Sequence, residues 1–160
     1  MGGVATGRLV ELSVAECMDL IGEEGIGRLA FDDGEWPTIL PVNYTFHGGV
    51  IHIRSGDDSK LRAADRRARA AFEVDAIREE LAQGWSVVVR GRLKRMAGAE
   101  ESGFEHEPRP VAEGERPYLI GLDPASITGR ELHPTGVPPH QPAEPEGNIW
   151  LGRDGTDLLG

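Results

Sequence analysis

Apolar positions change their spacing several times along this chain, and each change marks an element. Val14, Cys17, Met18 and Ile21 recur at the spacing of one helical face. Ser13 with Glu16 three residues on fits a capping box, Leu12 and Cys17 occupy staple positions, and Gly25 is a C-terminal stop signal. A helix is therefore expected after Ser13, with Cys17 as core filling, because nothing basic beside it would lower its pKa. The spacing then turns to that of strands. Arg28 to Phe31 is strand-like, Asp32-Asp33-Gly34 reads as a turn, and Trp36 to Tyr44 continues as a strand. Pro37 and Pro41 place that strand at an edge, at a bulge, or where a ligand replaces a neighbour. Thr38 to Phe46 and Val50 to Ser55 flank His47-Gly48-Gly49, the signature of a hairpin with a short glycine loop.

Lys60 to Ala68 then reads as a short helix on Leu61, Ala64 and Ala68, and Ala70 to Asp75 as a strand. Ile77 to Gln83 is a helical or looped connection ending at Gly84. Trp85 to Leu93 is a long, apolar strand in which Gly91 marks a bulge or bend. Glu100 to Arg116 reads as a polar connection, followed by strands at Tyr118 to Leu122 and Ser126 to Arg130. Three segments result: a loose N-terminal stretch over 1–12, a domain over 13–133, and a flexible Pro/Gly-rich tail over 134–160 with the apolar island Ile149, Trp150 and Leu151. About six strands and two or three short helices, in hairpin order, predict a mainly β fold, a small antiparallel barrel with helices packed on it.

The most informative stretch follows the hairpin. Arg54, Ser55, Gly56, Asp57, Asp58, Ser59 and Lys60 lead directly into a helix start. A loop that ends in a capping serine and carries two cations can hold a phosphate, since free N–H groups and the helix dipole favour an anion. Ser59 as a plain cap, with Arg54 and Lys60 as solvated cations, is the ordinary alternative.

Composition narrows the function. The chain has 160 residues, 39% of them hydrophobic and 28% charged, which suits one globular domain. A net charge of −10 argues against nucleic acid or an anionic membrane as partner, while leaving room for a local basic pocket. Cys17 is the only cysteine, so neither an intrachain disulfide nor a multi-cysteine metal site can form. The absence of a signal-like opening and of any apolar run of membrane-spanning length gives a cytoplasmic expectation.

Three motif-like spellings fail on context. Gly25-Ile26-Gly27-Arg28-Leu29-Ala30 spells a dinucleotide fingerprint, yet a helix precedes it and a strand follows, the reverse of what that motif needs. Gly84-Trp85-Ser86-Val87-Val88 lacks the last glycine of a serine-hydrolase elbow, and its serine begins a strand. The histidines His47, His52, His106, His133 and His140 show no metal-binding spacing, so no metal is assigned. His52 stands out among them because it lies in the strand that feeds the loop. Arg62, Arg66, Arg67 and Arg69 form the most basic stretch and read mainly as a solvated helix face.

Gly27-Arg28-Leu29-Ala30, Pro41-Val42-Asn43-Tyr44, Ser55 through Lys60, Ala71-Phe72-Glu73-Val74-Asp75, Gly84-Trp85-Ser86-Val87 and Ile127-Thr128-Gly129-Arg130 occur in this order. Together they resemble the pyridoxamine 5′-phosphate oxidase-like, flavin-binding split-barrel family, over roughly Ser13 to Leu132. The resemblance implies a six-stranded antiparallel split β-barrel of FMN-binding type, working as a homodimer with FMN at each of two subunit-interface sites. By position, Pro41, Val42, Asn43 and Tyr44 would lie along the isoalloxazine, Arg54, Ser55, Ser59 and Lys60 would hold the phosphate, and Trp85 and Ser86 would approach from the dimer contact. No catalytic side chain is assigned, which fits chemistry carried by the cofactor.

The resemblance is nearer the general branch, which includes nitroimidazole-resistance reductases, than the vitamin B6 enzymes. It implies an FMN-dependent oxidoreductase acting on a small organic substrate. Other occupants of the same barrel stay open. Deazaflavin F420 would call for a wider basic groove, which Arg62, Arg66 and Arg67 could line, and haem would need a ligand such as His52. A flavin carrier or binding module without turnover is the non-enzymatic alternative.

Overall fold

The chain is described by a computed structural model, which covers residues 7–56, 58–78, 81–96 and 117–135. The connection expected over Glu100 to Arg116, and the tail beyond Thr135, lie outside these residues. In chain order the elements are β1 (Gly7–Leu12), α1 (Val14–Ile21), β2 (Glu24–Asp32), β3 (Pro37–His47), β4 (Val50–Ser55), α2 (Ser59–Asp65), β5 (Arg69–Arg78), β6 (Gln83–Arg95) and β7 (Tyr118–Pro134).

All pairings are antiparallel. Strands β7, β4, β3, β2, β5 and β6 follow one another, and β6 pairs back with β7 to close a six-stranded ring. A seventh strand, absent from the sequence reading, joins this ring. Gly7–Leu12 had been expected to be loose, but β1 pairs along Gly129–Pro134 of β7. Its partner lies more than a hundred positions away, and such pairing leaves no local trace. The two C-terminal strand segments expected from the sequence merge into the 17-residue β7, whose first part pairs with β4 and most of whose length pairs with β6.

Local chemistry explains most boundaries. The Ser13 hydroxyl accepts from the Glu16 amide while the Glu16 carboxylate accepts from the Ser13 amide at 2.7 Å, the reciprocal capping box. Helix α1 ends at Ile21, four residues before the expected stop at Gly25, because Gly22 takes the positive φ of 66° and returns its N–H to Met18. The β3–β4 hairpin turns on Gly48 and Gly49, with φ of 59° and 78°, the primed geometry that matches strand twist. Pro41 sits where β3 pairs with β2 but not with β4, whose ladder begins only at Tyr44, so its missing N–H costs no ladder bond on that open side.

The connection expected between Ile77 and Gly84 is instead a tight β5–β6 hairpin paired out to Arg78 and Gln83. At Gly91 the β6–β7 register shifts, and a Cβ there would overlap the Asp123 carbonyl, so the glycine is required by the bulge. Leu29, Ile51, Ile53, Phe72, Val87, Val89, Leu93, Ile120 and Leu122 fill the barrel, each contributing about 1.5–3 kcal/mol by leaving water. Cys17 and Ile21 of α1, and Leu61, Ala63 and Ala64 of α2, complete the core. Among the described residues no helix is long and apolar enough to cross a membrane.

Candidate functional site

Strand β4 delivers the chain into the loop that opens α2. Its alternation places Ile51, Ile53 and Ser55 on the core side, with His52 and Arg54 on the other. At the end of the strand the N-cap is Asp58, not the expected Ser59, which is the first helical residue. Aspartate caps as well as serine and carries a charge besides. The Asp58 Oδ1 atom accepts from the Ser55 hydroxyl at 2.8 Å, the Lys60 amide at 2.9 Å and the Leu61 amide at 3.3 Å. Its other oxygen receives the Lys60 ammonium at 2.7 Å.

Four donors therefore converge on one oxyanion. Lys60 is only 7% exposed, so its charge is held at this point and is not a solvated surface cation. Burial would raise the Asp58 pKa, but the hydrogen bonds from Lys60 and Ser55 outweigh it and hold the carboxyl below its ordinary value. Ser55 and Lys60 meet on Asp58, while Ser59 opens α2 and is not among these donors. Arg54, on the other face of β4, donates to the Pro117 carbonyl at 3.3 Å.

On β3, Pro41 and Asn43 face outward, while Val42 and Tyr44 belong to the barrel core. The Tyr44 hydroxyl donates to the Ile21 carbonyl at 2.5 Å, and its ring meets Phe72 edge-on at 4.8 Å. These contacts tie β3 to the end of α1. Outside the barrel, Arg28 lies across from Pro41 and reaches Asp75 at 2.6 Å. Trp85 and Ser86 are consecutive on β6 and face opposite ways. Trp85 packs on the core, whereas Ser86 lines an outer concavity of about 450 Å³ with Arg90, Thr128 and Arg130.

His52 is almost fully buried across from Thr45, with Nε2 at 3.3 Å from the His47 carbonyl. Burial pushes its pKa down, which keeps the imidazole neutral near pH 7. Two features escaped the sequence reading. Asp58 was visible as a better cap than Ser59 once Leu61 and Ala64 fix the helix phase. The separation of Trp85 from Ser86 follows from strict strand alternation.

The protein family described as pyridoxamine 5′-phosphate oxidase matches residues 13–131. A curated relative, the uncharacterized protein Rv0080 of Mycobacterium tuberculosis, is 27% identical over 127 residues, covering 76% of this chain and 84% of the relative. Among solved structures, the FAD binding protein from Mycobacterium smegmatis superposes with a TM-score of 0.62 at 26% identity, covering 78% of this chain and 100% of that one. The FAD and heme binding protein from the same organism shares the fold with a TM-score of 0.58 at 16% identity, covering 86% and 91% of the two chains. The antiparallel barrel is thus the split-barrel fold seen in flavin-binding proteins. With its family match spanning most of the domain, and a likeness to a flavin-binding structure at 26% identity, this chain belongs to the pyridoxamine 5′-phosphate oxidase family.

Proposed function

We propose that this chain binds FMN and acts as an FMN-dependent oxidoreductase on a small organic substrate. The observation that carries the reading is the convergence of the Ser55 hydroxyl, the Lys60 and Leu61 amides and the buried Lys60 ammonium on a single oxyanion. That donor set suits a phosphate, since backbone N–H groups and a fixed cation are what terminal phosphates are bound by. The Asp58 carboxylate now holds the position, so a phosphate binds as this side chain turns away. The FAD-binding relative from Mycobacterium smegmatis supports a flavin as the occupant.

A bound flavin would supply the hydride or electron chemistry. The chain's own part is to orient it. Ser55, Ser59 and Lys60 hold the phosphate, and the outward Asn43, beside Arg28 and Pro41 on the β2–β3 surface, meets the ring. Ser86 faces outward from β6 into the outer concavity, and in a homodimer with the cofactor at the contact it would approach such a ring from the second copy.

The test is an absorbance spectrum of the purified protein followed by titration with FMN, FAD, F420 and haem. Saturable FMN uptake at one per chain supports the proposal and justifies screening electron donors with nitro and quinone acceptors. Tighter uptake of another cofactor, or a Soret band, overturns the FMN assignment. Stoichiometric FMN without turnover of any acceptor would leave a flavin carrier and overturn the enzymatic part.

A further inference from the structure

An apolar row crosses four strands near the point where the chain leaves β7. Leu9 of β1 pairs with Leu132 of β7, Leu132 with Gly84 of β6, and Gly84 with Ile77 of β5. Strand alternation puts all four on the outer face, with Glu11, Arg130, Ser86 and Asp75 as the next row on that face. Gly84 lets Ile77 lie low across β6, since a Cβ there would come within 3.2 Å of the Ile77 Cγ1 atom. Leu9 is 61% exposed and Ile77 59%, so no described residue covers the row. A contiguous apolar row with a polar border marks a surface that something else covers.

The sequence supplies a matching segment with the same deficit. Ile149, Trp150 and Leu151 are consecutive, and the stretch that leads to them offers no aromatic partner. Thr135, the last described residue, lies three positions beyond Leu132 of the row, and Ile149 follows fourteen positions after Thr135. That length reaches up to about 43 Å when extended, against about 14 Å for the width of four strands. Gly136 and Gly147 permit turns at the two ends of this spacer, and Pro138, Pro139, Pro142 and Pro145 disfavour its joining a helix or a sheet. Two uncovered apolar groups tethered in this way meet at an effective concentration of about a millimolar. The polar row adds little electrostatic bias, because Arg130 stands across from Glu11 and Asp75 is held by Arg28 at 2.6 Å.

We infer that the outer row of Leu9, Leu132 and Ile77 is a docking surface for the chain's own Ile149-Trp150-Leu151 segment. Seated there, the segment borders Ser86 and Arg130 and makes one wall of the concavity of about 450 Å³ that they line. The inference rests on no cofactor assignment.

The experiment is disulfide trapping in the full-length chain, where the one native cysteine, Cys17, is buried. Oxidised glutathione should close an intrachain disulfide in Ile77→Cys/Leu151→Cys at least about tenfold faster than in Ile39→Cys/Leu151→Cys, a control equally exposed on β3. Adding Trp150→Ala to the first pair should remove most of that advantage. Equal rates in the two pairs, a disulfide between two chains, or a rate indifferent to Trp150 overturns the docking. Hydrogen exchange on the unaltered chain gives a reading that needs no variant to fold. The amides of residues 149–151 should exchange more slowly than those of 155–160, and equal exchange overturns the inference. Leu9→Ser/Ile77→Ser should erase that difference. A dimer broken by this double variant in light scattering, in a chain whose residues 149–151 exchange freely, also overturns it, because a second copy then covers the row. FMN titration of the same samples reads the flavin assignment separately.

Discussion

Two regions of this molecule collect positive charge, and they resolve it in opposite ways. At the opening of α2, Lys60 is buried and every donor around it converges on Asp58. On the outer face of β5 and β6, Arg69 and Arg92 confront each other, and the carboxylate across from Arg92 is that of Asp123 on its other side, on β7. A buried ammonium must be compensated within the chain, whereas exposed guanidinium groups are stabilised by water and can await a partner. The first region is a cluster already completed by an internal anion. The second is exposed, and its carboxylate, Asp123, lies beside Arg92 and not beside Arg69.

The largest effect is expected from Lys60→Ala. If the α2 cluster holds the flavin phosphate, removing its cation should weaken FMN binding by about 10- to 100-fold in a fluorescence titration, the range set by one charge-assisted hydrogen bond. Circular dichroism should show the fold retained, and unchanged affinity would refute the cradle.

Asp58→Asn separates the cap from the charge. Asparagine caps as well as aspartate but leaves the buried Lys60 ammonium without its counter-charge, so stability should fall by about 1–3 kcal/mol at neutral pH, read from the thermal midpoint. FMN affinity should rise because the competing anion is gone. A fall in affinity would mean that Asp58 helps to hold the ligand and does not compete with it.

The same carboxylate predicts an acid response. Its pKa in the folded chain lies below the ordinary value of 3.8, so its contribution to stability is fully present above that value. The contribution declines as pH falls from 3.8 towards the lowered folded value and is lost below it. Acid unfolding curves of the wild type and Asp58→Asn should therefore converge below pH 3.8. Curves that stay parallel through that range would show that Asp58 is not held as an ion.

The smallest effect belongs to the outer face. Arg69→Glu turns a like-charged cross-strand pair into an opposite-charged one and should stabilise the fold by about 0.5 kcal/mol, read by urea denaturation. A loss of stability would mean that the guanidinium groups of Arg69 and Arg92 are not in repulsion.

Features carried by neighbours in the chain were readable before any fold. The capping box of Ser13 and Glu16 and the Gly48-Gly49 turn depend on a few consecutive residues. The dinucleotide-like spelling at Gly25 could be rejected for the same reason, and Glu24–Asp32 is indeed a strand. The site was only half readable. Ser55 and Lys60 are near in sequence and meet on Asp58, whereas Arg54 lies on the other face of β4 because successive strand residues point to opposite faces. Alternation likewise splits Pro41 and Asn43 from Val42 and Tyr44, and it was available from sequence spacing alone.

By itself, then, the chain determined most of its strands, the Gly48-Gly49 turn, the start of α1 and the grouping of polar residues before α2, since these rest on short-range sterics and local hydrogen bonds. Only the tertiary structure decided that β1 joins β7, that Asp58 neutralises a buried Lys60, and that Arg69, Arg90 and Arg92 share one concave face with Ile39. Those outcomes depend on register between distant strands and on what burial does to a charge. Neither is written in the order of adjacent residues.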